Sequence, residues 1–134
     1  MILASLLFAF LAAALHVYIF TMESFTWTRP ATWKRFGLAS QDDAETTKPL
    51  AYNQGFYNLF LAIGAFIGVG CVALGPVASA QHVVGWTLIL SCCGSMLLAA
   101  AVLALSGKKY LRAAVLQGTT PLLAVVLGLL AVAG

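Results

Sequence analysis

Few side chains in this sequence can move a proton or hold a polar ligand, and several of those that can recur at helical spacing. His16 and Glu23 stand seven residues apart in an otherwise apolar run. On an ideal helix that spacing leaves them within ~20° of one face and ~10 Å apart along the axis. Histidine titrates near neutrality and can serve as general acid or base, with Asn58 or Gln117 polarising a substrate. At ~10 Å, however, Glu23 cannot touch His16 without a bridging group. A second polar group, Asn53-Gln54-Gly55-Phe56-Tyr57-Asn58, pairs Asn53 with Tyr57 and Gln54 with Asn58 at one-turn spacing. A third comprises Gln117, Thr119, Thr120 and Pro121. Amides, a phenol and one group that can change charge are what a binding pocket for a polar head requires. The candidate ligand-binding residues are therefore His16, Glu23, Trp27, Asn53, Gln54, Tyr57, Asn58 and Gln117. No metal site is expected, because His16 and Glu23 lack a second histidine within reach. His82 falls on the opposite side, at the start of a later apolar run, and reads as a solvent-facing loop residue. No catalytic nucleophile is placed at this depth, and no cofactor is called for.

The elements that must position these groups are membrane spans. The chain has 134 residues, of which 62% are hydrophobic and 8% charged, with a mean hydropathy of +0.98. Soluble domains average about 45–50% apolar and about 25% charged residues, so a water-soluble globule is excluded. Nucleic-acid binding is excluded as well, because the basic residues, interrupted by apolar runs, form no phosphate-tracking stripe. The length accommodates a single all-α domain, 1–134, of four transmembrane helices at roughly 20 residues each. The spans are expected at about 2–22, 54–74, 83–105 and 113–132, with 23–53 as an interfacial and cytoplasmic loop. The first run lacks a basic leader and continues past Ala12-Ala13-Ala14, which favours an uncleaved helix over a signal peptide. Pro121 inside the fourth span is tolerable where neighbours satisfy the freed carbonyl. Gly64-x-x-x-Gly68 offers a small-residue face for close helix packing. Cys71, Cys92 and Cys93 all fall in apolar runs and read as small buried hydrophobes rather than a disulfide framework.

Charge sets the expected orientation. Arg29, Lys34, Arg35 and Lys48 lie between spans one and two, Lys108, Lys109 and Arg112 between spans three and four, and none between spans two and three. The positive-inside rule then puts both basic loops in the cytoplasm and both termini outside. All three polar groups fall in the cytoplasmic half of the membrane. Residues 25–36 interleave aromatics with cations, as expected of an aromatic belt in the head-group region. Ser40-Gln41-Asp42-Asp43 reads as a helix start resembling a capping box.

Several motifs together carry a family likeness: His16-x-Tyr18-Ile19-x-x-x-x-Glu23-x-x-x-Trp27, Phe36-Gly37-Leu38, Asn53-Gln54-Gly55-x-Tyr57-Asn58 and Gln117-x-x-x-Pro121. The chain resembles small bacterial integral membrane proteins grouped as domain of unknown function 1304. That resemblance implies a four-helix architecture in the bacterial cytoplasmic (inner) membrane and supplies no activity. The reading that follows is a multi-pass membrane protein with a cytoplasm-facing polar pocket, binding or moving a lipid or small amphiphile. The alternatives are a membrane-embedded enzyme using His16 as acid or base, and an accessory subunit of a larger membrane complex or homo-oligomer. In the last case Gly64 and Gly68 would be interface residues.

Overall fold

The computed structural model describes all residues from 1 to 134. It is all-helical: α1 (Ile2–Phe25), α2 (Pro30–Arg35), α3 (Gln41–Leu74), α4 (Ala80–Leu105) and α5 (Leu111–Ala133), with one 3₁₀ turn at Lys108–Tyr110 leading into α5. The apolar runs take this form because backbone N–H and C=O groups in hydrocarbon must be satisfied within their own segment. Four helical segments are long and apolar enough to cross a membrane: α1, α3, α4, and α5 with its leading turn. They form a ring in which α1 packs on α3 and α5, and α4 packs on the same two. The diagonal pair α1 and α4 scarcely meet. The α1–α3 and α4–α5 connections share one end of the bundle, and all seven basic residues lie in or beside them.

Small residues draw the helices together. Ala9, Ala12 and Ala13 of α1 meet Ala62 and Ala65 of α3 and Ala124 of α5, and Ile89, Cys93 and Met96 of α4 fill the remaining centre. Large apolar side chains such as Leu3, Leu98 and Leu105 point outward. This suits a bundle in lipid, where hydrophobic burial does not drive association and close van der Waals packing does. The closest approach lies between α3 and α4. A Cβ on Gly68 would stand 2.9 Å from the Gly85 carbonyl oxygen and 3.0 Å from the Ile89 nitrogen, so backbone meets backbone there. Gly64, its partner in the motif, faces the Cys92 sulfur of α4. All three cysteines are free, Cys93 fully buried and the other two half-buried.

One boundary departs from the sequence expectation. Helix α3 begins at Gln41, at the capped start expected from Ser40, but it runs unbroken into the span expected from residue 54, so part of the expected 23–53 loop is helix. Ser40 caps it, its Oγ accepting from the Asp43 N–H at 3.1 Å, and the helix passes through Pro49 without ending. Its 34 residues correspond to ~51 Å of helix, against a hydrocarbon core of ~30 Å. The excess extends the basic end of the bundle. A second small core supports it there: Trp27 and Trp33 pack on Ala44 and Ala51, with Phe36 and Leu38 alongside. The Trp27 indole N–H donates to Thr47 Oγ1 at 3.1 Å, and that of Trp33 to Gln41 Oε1 at 2.8 Å. The two tryptophans are thus buried against protein rather than exposed on the surface. Hydropathy scanning missed this because the inward residues of 41–52 are alanines, too few and too small to register.

Candidate functional site

His16 and Glu23 both fall on the inward face of α1, as their spacing requires. The His16 side chain is fully buried, and its Nδ1 lies 2.8 Å from the Ala12 carbonyl oxygen. A carbonyl only accepts, so Nδ1 carries a proton, and in the neutral ring Nε2 presents a lone pair. That Nε2 has no hydrogen-bond partner, and neither does the buried Thr120 Oγ1 of α5.

Glu23, two turns closer to the basic end, is 7% exposed. Its Oε2 accepts from Asn58 Nδ2 of α3 at 2.8 Å. The same Nδ2 reaches back to the Gln54 carbonyl at 3.2 Å, which holds the amide in place. The two helices come together here because Gly55 seats on α1, where a Cβ would press against the Glu23 Cβ and the Phe20 carbonyl at 3.2 Å. A carboxylate has about four lone-pair directions. Asn58 is the one side chain that fills any of them, and no basic group stands beside it. His16 and Glu23 do not hydrogen-bond to each other, His16 being tied to Ala12 and Glu23 to Asn58.

The remaining candidates divide by exposure. Gln117 is half-buried on α5, whereas Asn53, Gln54 and Tyr57 are exposed at the start of the spanning part of α3. Trp27 belongs to the second core, where its N–H is already committed to Thr47. The structure therefore brings Glu23 and Asn58 into contact, buries His16 deeper on the same face, and leaves Asn53, Gln54 and Tyr57 exposed, Asn53 and Tyr57 each ~200° around α3 from the Gly55 face that meets α1.

Residues 10–129 match the sequence pattern of a family described as protein of unknown function (DUF1304). The chain belongs to the DUF1304 family. No curated protein and no solved structure matches it. The DUF1304 match covers the helices that supply His16, Glu23, Asn58 and Gln117, and assigns them no role.

Two further features of this DUF1304 chain escaped the sequence reading. His82 is not a solvent-facing loop residue: it sits half-buried in the first turn of α4, and its Nε2 accepts from the Trp86 indole N–H at 3.1 Å. Trp86, one turn later, needs an acceptor in apolar surroundings, and His82 is the one within reach. Arg35 reaches back to α1, where its Nη1 donates to the Tyr18 hydroxyl at 2.7 Å and contacts the Met22 sulfur at 3.6 Å. No spacing rule reveals that contact, because the chain must first reverse through α2.

Proposed function

We propose that this protein sits in the bacterial inner membrane with its basic end in the cytoplasm, and that the Glu23–Asn58 site binds the polar head of a small amphiphile or lipid. The positive-inside rule supports that orientation, since the two connections carrying all seven basic residues share one end. Glu23 carries the binding argument. A carboxylate buried against protein is costly unless it is paired or serves a ligand, and here one amide bond at 2.8 Å is all that meets it. The groups around it narrow the ligand. The Glu23 carboxylate accepts, so the matching head is one that donates, such as an ammonium or a polyol. Gln54, one helical turn before Asn58, stands exposed toward the basic end.

The test compares Glu23→Gln with Asn58→Ala in the purified full chain, with dodecylamine and dodecyl maltoside adducts followed by native mass spectrometry. Glu23→Gln is nearly isosteric and should leave the melting temperature within a few degrees of the parent. A hydrogen bond to a charged group contributes ~1.5–3 kcal/mol, so retention of the amine should fall about tenfold or more. If both variants melt early while amine retention is unchanged, the cluster only holds helices together and the reading is wrong.

A further inference from the structure

A second polar site lies on the opposite side of α1. Tyr18 is two residues from His16, hence ~200° around the helix, and its ring is exposed where that of His16 is buried. There α2 folds back on the last turns of α1 and closes a groove of about 210 Å³, lined by Tyr18, Thr21, Met22, Thr26, Thr32 and Arg35. Drug-sized ligands occupy about 300–1,000 Å³, so this groove admits a head group and not a whole amphiphile.

Arg35 is poised in it with half of its fork unused. Both contacts to α1, with Tyr18 and with Met22, are made by Nη1. The Nε–H and Nη2–H edge, the geometry that grips two oxygens of one phosphate or carboxylate, has no protein acceptor. The carboxylates that could fill it are engaged elsewhere: Glu23 with Asn58 and Glu45 with Gln41. Asp42 and Asp43 stand in the first turn of α3, a favourable place for negative charge. Tyr18 accepts from Arg35, which leaves its own hydroxyl hydrogen free to donate. The threonines are already committed: Thr21 donates to the Tyr18 carbonyl, and Thr26, which donates to the Met22 carbonyl, takes the Thr32 hydroxyl hydrogen.

Depth separates lipid from free anion. An arginine beside a spanning helix ordinarily extends its head toward water. Arg35 is instead drawn back to Tyr18, seven residues and so ~10 Å inside the end of α1. The first span is expected to end near residue 22, so Tyr18 lies about four residues, ~6 Å, inside that edge, near enough to the head groups for a lipid phosphate to meet Arg35. We propose that this groove binds the phosphate of an acidic phospholipid. The Nε and Nη2 edge of Arg35 holds two phosphate oxygens, and the Tyr18 hydroxyl donates to the same group. The site shares no residue with Glu23 and Asn58, so it stands or falls independently of the amphiphile reading.

The experiment titrates the purified full chain with phosphatidylglycerol and phosphatidylcholine in separate mixed micelles and counts bound lipids by native mass spectrometry. The parent should retain phosphatidylglycerol preferentially. Arg35→Ala should lower that retention about tenfold or more, the effect of losing charge-assisted hydrogen bonds. Arg35→Lys keeps the charge without the fork and should fall between, while Tyr18→Phe should give a smaller loss. Should Arg35→Ala fail to fold, the last two variants still carry the test. Lys109→Ala, at the other basic connection, should change nothing. The proposal is overturned if Arg35→Ala keeps the preference, or if Lys109→Ala weakens it equally, since binding would then belong to the whole basic end. Displacement of the lipid by millimolar inorganic phosphate would also overturn it, by showing a site for free anions.

Discussion

At Gly68, a single Cβ would have to displace backbone. Its nearest neighbours are the Gly85 carbonyl, the Ile89 Cγ1 and the Ile89 nitrogen, and the two backbone atoms cannot rotate away, whereas two residues on Gly70 faces open space. Gly68→Ala should therefore destabilise the bundle by about 1–3 kcal/mol, the cost of overpacking a fitted contact. Gly70→Ala should be neutral or stabilising by up to ~1 kcal/mol, because alanine is the better helix former. Thermal unfolding in detergent separates the two, and equal effects would mean that α3 and α4 do not meet at Gly68. The Glu23–Asn58 bond is open to a double-mutant cycle with alanine. Hydrogen bonds between membrane helices average about 0.6 kcal/mol, and a charged acceptor should bring this coupling nearer ~1.5–3 kcal/mol. A coupling near zero would deny the contact. These residues were legible in the sequence because helical period alone puts Glu23 beneath the face of His16. The exposure of Asn53, Gln54 and Tyr57 was not, since it is Gly55, the small residue among them, that takes the place against α1. A pattern of polar types marks the neighbourhood of a site, whereas the inward position goes to whichever side chain lets the helices close.

Among the elements, α3 depends most on contacts that hydropathy does not record. Its spanning part is apolar enough to be read directly, but the polar turns from Gln41 onward hold through the Ser40 cap and the two tryptophans. Ser40→Ala removes the side-chain acceptor for the Asp43 N–H, a loss of ~1 kcal/mol typical of an N-cap. Amides 42–47 should then exchange with solvent about fivefold faster, with those of the spanning part unchanged. Uniform acceleration along α3 would show that the cap supports the whole helix. Trp33→Ala should go further, because it removes both the packing on Ala44 and Ala51 and the bond to Gln41. Limited proteolysis should cut that variant between residues 26 and 40 while the four-helix core stays intact. The aromatic and cationic alternation of 25–36 pointed correctly to this end of the bundle. It misled on burial because indole rings that find a protein acceptor can leave the head-group region and pack inside.

For the molecule as a whole, the proposed orientation rests on charge rather than on packing, and it decides which leaflet would supply the ligands. The four helices would pack equally well in either direction across a membrane, since their contacts with one another are the same in both. What distinguishes the two insertions is the placement of Lys and Arg in short connections, and here all seven lie toward one end and none in the α3–α4 connection. Such a bias supports a single orientation over dual insertion. Val77, in the α3–α4 connection, is 81% exposed, and Asp42, at the basic end, is exposed as well. In a background with Cys71, Cys92 and Cys93 replaced by alanine, Val77→Cys should react with an impermeant thiol reagent added to intact cells. Asp42→Cys should react only after the cells are opened. The reverse pattern would turn the molecule over. The Glu23–Asn58 site and the Arg35 groove would then face away from the cytoplasm, and their ligands would have to come from the outer leaflet.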